Sequence, residues 1–223
     1  MSTALIFDLD GTLIDSAPDL HAASNRLLAR EDRPPLSLET VRSFIGNGIP
    51  TLVDRVMAAS GIDTGERDRL ISEFVADYNA RATELTRPYP GVVDALLRFR
   101  ELGLRLAVCT NKPVTPTRTI LEDLGLSHFF SAIVGGDSFP ERKPDPRGVL
   151  SLARELGGLH ALYIGDSEVD AETALRANLP FFLFTGGYRK TPVSELPHSL
   201  SFDDFSSLPA LVEDYAQASV AAT

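Results

Sequence analysis

The chain has 223 residues, 43% hydrophobic and 23% charged, enough to bury a large core in one unit with an insertion or in two units in tandem. A formal charge of −10 excludes a general affinity for nucleic acid or anionic membrane, so any anionic ligand must be drawn in by a local cation, a metal ion or helix N-termini. A single cysteine, Cys109, excludes an internal disulfide and any multi-cysteine metal site.

The opening MSTALIFDLDG holds an apolar run too short for a signal segment or a membrane span, and no later stretch reaches about 18 apolar residues, so a cytoplasmic location is expected. Ala4–Phe7 has the length and composition of a buried strand. From about Ser16 to Leu85 the pattern is helical: Ala17–Arg30, Leu38–Phe44, Leu52–Met57, then a long run through Leu70, Phe74, Tyr78, Ala82 and Leu85 near 3.6 spacing. Asp63-x-x-Glu66 reads as a capping box ahead of that run. Arg87-Pro88-Tyr89-Pro90-Gly91 is stiff and turn-prone, suited to a hinge.

Beyond it, strand-like Leu104–Cys109, Ala132–Val134, Ala161–Ile164 and Phe181–Phe184 alternate with helical Val92–Leu102, Pro116–Leu124, Arg147–Leu156 and Val169–Ala177. The tail after Asp214 has little to bury and is expected to fray. Alternation with short links predicts a doubly wound, mostly parallel α/β sheet covered by helices on both faces. Residues 1–15 and 88–223 are expected to form this core, with residues 16–87 as an inserted helical unit.

Four segments carry chemistry. Asp8 and Asp10, in Phe7-Asp8-Leu9-Asp10-Gly11-Thr12, stand at the end of the first strand, where residues i and i+2 point the same way. A lone D-x-D is often a solvated turn, and a calcium loop fails because Gly11 follows the second Asp directly. Ile164-Gly165-Asp166 ends another strand, with Ser167 and Asp170 spaced as a helix capping box. The cap leaves Asp166 unexplained, and carboxylates gathered from two strand ends repel one another without a cation; an all-oxygen set suits Mg²⁺. Thr110 and Asn111 follow a third strand, placed to hold phosphate oxygens or simply to cap a helix. Lys143, kept extended by Pro144, is either a solvated lysine or the cation that such a site needs.

Together, in this order, these segments resemble the haloacid dehalogenase superfamily from Asp8 to Asp170, and the helical insertion resembles its mobile cap. Within it, Phe44-Ile45-Gly46-Asn47-Gly48, Arg87–Val92 and Thr110-Asn111-Lys112-Pro113 are most similar to bacterial phosphoglycolate phosphatases. The chain departs from the usual pattern at Glu168-Val169, where Arg-Asn is commoner between Ser167 and Asp170.

The resemblance implies a Mg²⁺-dependent phosphatase acting on a small phosphate ester, with 2-phosphoglycolate the expected substrate. It makes Asp8 the nucleophile and Asp10 the general acid and base. Asp8, Asp10 (through its backbone carbonyl) and Asp166 become the metal ligands, with Asp170 and Ser167 in support. Lys143, Thr110 and Asn111 hold the phosphoryl group, and Arg55, Arg42 and Lys112 are candidates for reading the substrate's second charge. A phosphomutase of the β-phosphoglucomutase type and a sugar-phosphate phosphatase are the alternatives. No nucleic-acid or membrane partner is expected, and the chain is taken as a monomer or homodimer.

Overall fold

The computed structural model describes residues 3–157 and 160–221. After β1 (Thr3–Phe7) and the two-residue β2 (Ile14–Asp15), the chain enters α1 (Ala17–Arg30), α2 (Leu38–Arg42), α3 (Ile49–Ser60) and α4 (Arg67–Asn79). It returns through β3 (Arg87–Pro88), antiparallel to β2. Then follow α5 (Val92–Glu101), β4 (Arg105–Cys109), α6 (Val114–Asp123), β5 (Ala132–Val134), α7 (Arg147–Glu155) and β6 (His160–Gly165). The chain closes with α8 (Glu168–Ala177), β7 (Phe181–Phe184), β8 (Leu200–Phe202) and α9 (Leu208–Ala221). Six strands pair in parallel in the order β5-β4-β1-β6-β7-β8, so the expected doubly wound α/β sheet is the one observed. Among the described residues no helix is long and apolar enough to cross a membrane.

Period-two alternation divides the strands between two apolar layers, as burial on both faces requires. Leu5 and Phe7 of β1, Leu106 and Val108 of β4, and Phe182 and Phe184 of β7 join the layer that takes in Leu96 and Phe99 of α5 and Leu208 of α9. Ala4, Ile6, Ala107, Cys109, Phe181 and Leu183 face the opposite way, onto Val149 and Leu152 of α7 and Ala171 and Ala174 of α8. Connections leave β1 in one direction toward β4 and later return to β6 on its other side. The carboxyl ends of β1, β4 and β6 therefore open the crevice where ligands bind in sheets of this kind.

The helical insertion hangs on two crossings that are zipped together. Ile14 and Asp15 pair with Pro88 and Arg87. Next to them, the buried Asp19 carboxylate of α1 accepts the backbone N–H groups of Leu85 and Thr86 and the Thr86 hydroxyl, at 2.7–3.1 Å. The segment expected to form a hinge is thus partly a strand.

Three local expectations are corrected. The helical run predicted through Ala82 and Leu85 ends at Asn79, because the amide of Leu85 is spent on Asp19 and its side chain is exposed. Asp63 caps a 3-10 turn, Thr64–Glu66, by accepting from Gly65 N, while Glu66 pairs with Arg69, so no reciprocal box forms there. The tail from Tyr215 is helical as far as Ala221, since the Tyr215 ring packs edge-on against Phe182 with centroids 5.3 Å apart. Residues 222 and 223 lie outside the described residues.

Asp19→Ala strands three buried or half-buried donors and is expected to cost about 1–3 kcal/mol. Urea unfolding followed by circular dichroism measures this; an unchanged midpoint would show that Asp19 does not secure the insertion.

Candidate active site

The chain leaves β1 with Asp8 still on the ladder, its N–H donating to Ile164 O at 2.9 Å, and then turns at Gly11, whose φ is +89°. A side chain at Gly11 would be strained and would collide with the Asp166 carboxylate, as would one at Gly187. Asp166, at the end of β6, is therefore enclosed by backbone on two sides. Its Oδ1 accepts from the Thr12 hydroxyl at 2.8 Å and its Oδ2 from Tyr188 N at 2.6 Å. Ser167 and Asp170 form the expected capping box on α8.

Lys143 brings the opposite charge. Its buried Nζ lies 2.8 Å from Asp8 Oδ1, 2.7 Å from Asp170 Oδ1 and 3.0 Å from the Tyr163 hydroxyl. Tyr163 in turn donates to Asp170 Oδ1 at 2.6 Å. Burial works against the ammonium, but Asp170 and Asp8 outweigh it and hold Lys143 charged. Burial pushes the Asp8 carboxyl up to about 7, Lys143 opposes this and Asp170 adds to it. Asp166 is raised well above the usual carboxylate range by burial and by its neighbours Asp170 and Asp8. Asp170 goes the other way: burial would raise it, yet Lys143, Ser167 and Tyr163 hold it low.

Asp8, Asp10, Thr110, Asn111, Lys112, Lys143 and Ser167 line one cavity of ≈ 60 Å³, whose opposite wall is Leu20, Ile45, Gly46, Gly48, Ile49 and Leu52 from the helical insertion. Thr110 Oγ1 accepts from Lys112 N at 3.2 Å. Asn111 Nδ2 reaches both Gly46 O and Lys143 O at 3.3 Å, while its buried Oδ1 has no partner among the described residues. Asp10 Oδ1 accepts from Ser16 at 2.6 Å and from Lys112 Nζ at 2.9 Å.

Of the three cations expected to read a second substrate charge, Lys112 is in the cavity wall and the two arginines are not. Arg55 is turned onto Phe44 O and Asn47 Oδ1, and Arg42 onto Asp15 and the Tyr188 ring. Sequence reasoning gave no role to Tyr163, Thr12, Ser16, Tyr188 or Tyr78. Tyr163 had a legible signal, a hydroxyl inside the apolar run Ala161–Ile164 directly before Gly165-Asp166; Tyr188 lies too far along the chain to carry one.

The acids fit a divalent cation. Carboxylate oxygens of Asp8, Asp166 and Asp170 lie within 4.8 Å of one another, an all-oxygen set, and among the described residues Asp8 Oδ1 is met only by the Lys143 ammonium at 2.8 Å. Asp170 has both oxygens occupied by donors, Oδ1 by Lys143 and Tyr163 and Oδ2 by Ser167 and Asp166 N. Asp8 and Asp166 retain lone pairs and are the better ligands, and the Asp10 carboxylate stands outside the group.

A raised Asp8 favours the folded state fully below its ordinary value of 3.8 and loses that contribution as pH climbs through about 7. A divalent cation takes the proton's place, so its stabilising effect is expected to grow with pH. Melting curves with and without Mg²⁺ should show a larger gain in Tm at pH 8 than at pH 6. An equal gain at both would separate the cation from Asp8.

The family model described as haloacid dehalogenase-like hydrolase matches residues 5–184. A phosphoglycolate phosphatase of Rhodobacter capsulatus is 48% identical over 217 residues, 96% of this chain and 99% of the relative. One of Caulobacter vibrioides is 40% identical, covering 92% of this chain and 88% of that relative. Among solved structures, a predicted phosphoglycolate phosphatase from Haemophilus somnus 129pt superposes with a TM-score of 0.90 at 31% identity, covering 95% of this chain and 98% of its own. With the family model matched over most of the chain and a relative 48% identical along nearly its whole length, the chain belongs to the haloacid dehalogenase-like hydrolases.

Proposed function

We propose that the protein is a Mg²⁺-dependent phosphatase that hydrolyses a small phosphate monoester, with 2-phosphoglycolate as its substrate and Asp8 as its nucleophile. The carrying observation is the buried Asp8 carboxylate, which has Lys143 at 2.8 Å and a second acid, Asp166, within 4.8 Å, and which lines a cavity together with Thr110, Asn111 and Asp10. In this reading residues 1–15 and 88–223 are the catalytic core and residues 16–87 the cap.

Phosphate monoesters are among the slowest molecules to hydrolyse unaided, and enzymes accelerate the reaction by up to ~10²¹-fold. Several groups must act at once. Asp8 attacks phosphorus in line and forms an aspartyl-phosphate, while the ester oxygen departs with the bonding electrons and takes a proton from Asp10. Asp10 then withdraws a proton from the water that cleaves the acyl phosphate. Lys143 screens the approach of one anion to another, and the Thr110 hydroxyl and Asn111 amide hold phosphoryl oxygens. Asp8, Asp166 and the Asp10 carbonyl would hold Mg²⁺, which supplies positive charge against the phosphoryl oxygens.

The substrate assignment is supported by the relatives' names and by Lys112. Its ammonium has three N–H groups, and Asp10 and Tyr78 take two of them, which leaves one for a carboxylate in the cavity.

Asp8→Asn should lower kcat by more than about 10³-fold and abolish the hydroxylamine-labile phosphate that the wild type accumulates during turnover. Across a panel of esters assayed with Mg²⁺ and with chelator, kcat/KM for 2-phosphoglycolate should exceed that for hexose phosphates by at least about tenfold. Full activity in Asp8→Asn would remove the mechanism; equal rates across the panel would remove the substrate.

A further inference from the structure

Asp10 receives two hydrogen bonds, from Ser16 and from Lys112, and both end on Oδ1. No hydrogen bond given by the described residues ends on Oδ2. The carboxyl group is thereby fixed in one rotation, with Oδ2 as the oxygen left to carry a proton. Ser16 is a near neighbour along the chain, whereas Lys112 arrives from the loop after β4, and its long side chain has many rotamers in which Nζ would miss Asp10.

What holds Lys112 in place comes from the insertion. The Tyr78 hydroxyl, near the end of α4, accepts from Lys112 Nζ at 2.9 Å, and the ammonium stands 5.0 Å from the Tyr78 ring centroid. Tyr78 is itself fully buried and stacked on Phe74 with ring centroids 6.2 Å apart. Burial keeps its phenol protonated, so it offers Lys112 an oxygen lone pair and not a competing charge. Lys112, 7% exposed, is clasped between one partner on the core and one on the insertion.

We propose that Tyr78 is a positioning residue for the proton-donating Asp10, acting through Lys112, so that the acid is correctly aimed only when the insertion sits over the core. This rests on the reading of Asp10 as general acid given above. The tyrosine touches neither the reacting atoms nor Asp10. It fixes the lysine, the lysine fixes Oδ1, and Oδ2 faces the ester oxygen that must leave with a proton.

Leaving-group dependence separates this role from a merely structural one. An alkyl phosphate expels a strongly basic alkoxide and needs the acid, whereas acetyl phosphate, of similar size, expels acetate and does not. The experiment measures kcat/KM for 2-phosphoglycolate, ethyl phosphate and acetyl phosphate on the wild type, Tyr78→Phe, Lys112→Met, the double variant and Asp10→Asn. Asp10→Asn sets the ceiling, an alkyl-selective loss of about 10²–10⁴-fold. Tyr78→Phe keeps the ring and its stacking, and should lower kcat/KM by about tenfold for ethyl phosphate, which has no carboxylate for Lys112 to read, but by less than about twofold for acetyl phosphate. In the Lys112→Met background the same change should add less than about twofold, because its route is already cut.

Equal losses on alkyl and acetyl phosphates, no loss on the alkyl esters, or full additivity with Lys112→Met would each overturn the proposal. Should Tyr78→Phe fail to fold, as read by circular dichroism, the ratio of ethyl to acetyl phosphate in Lys112→Met, which involves no substrate carboxylate, decides in its place. If the wild type prefers ethyl phosphate to 2-phosphoglycolate, the substrate assignment fails while the ratio for ethyl phosphate still judges Tyr78.

Discussion

Lys143 stands between Asp8 and Asp170 where water is nearly absent, and the rest of the site is arranged around what that costs. Three buried carboxylates against one ammonium leave two uncompensated negative charges, the charge that one divalent cation neutralises. Without it, Asp8 and Asp166 are driven toward the protonated form, while Asp170, closest to the lysine and fully hydrogen-bonded, stays ionised. The acids are thereby given different work by their surroundings. Asp170 orients Lys143, and Asp8 and Asp166 keep open lone pairs. The backbone follows the same constraint: Gly11 and Gly187 close on Asp166 where no side chain could, and Tyr163 puts a hydroxyl into the apolar run Ala161–Ile164 to serve Lys143.

Much of this was legible because strand ends are legible. An apolar run that stops on an acid, twice, with a glycine within three residues of each, announces both the sheet and the face on which it binds. The capping box at Ser167 and Asp170 formed as its spacing demanded, whereas Asp63 and Glu66, with the same spacing, did not close, since Arg69 offered Glu66 a nearby charge. Pattern fixes which residues are neighbours and leaves open which partner wins. The same limit applied to the cations. Arg42 and Arg55 carry charges indistinguishable in sequence from that of Lys112, and only the fold shows that their partners turn them away from the cavity. The tail looked too poor to fold, yet one aromatic edge, Tyr215 on Phe182, gives α9 a reason to continue.

The acidic balance of the chain poses a problem that the cavity answers locally. An overall charge of −10 repels a phosphate ester, yet two lysines, Lys112 and Lys143, are almost wholly buried in the wall of a cavity that such an ester would enter. Both are already paired, one with Asp10 and the other with Asp8 and Asp170. An arriving anion therefore meets ammonium groups whose attraction is partly used, and it must share them with the carboxylates that will act on it. Sharing at Lys143 loosens its hold on Asp8 as the phosphoryl group comes within reach of that carboxylate. Under the proposed role of Tyr78, sharing at Lys112 depends on where that tyrosine holds it, and the insertion would govern how much positive charge reaches the substrate. Electrostatic attraction and the aiming of the reacting groups are thus one arrangement, and a change that strengthens substrate binding by freeing either lysine would misplace the acid beside it.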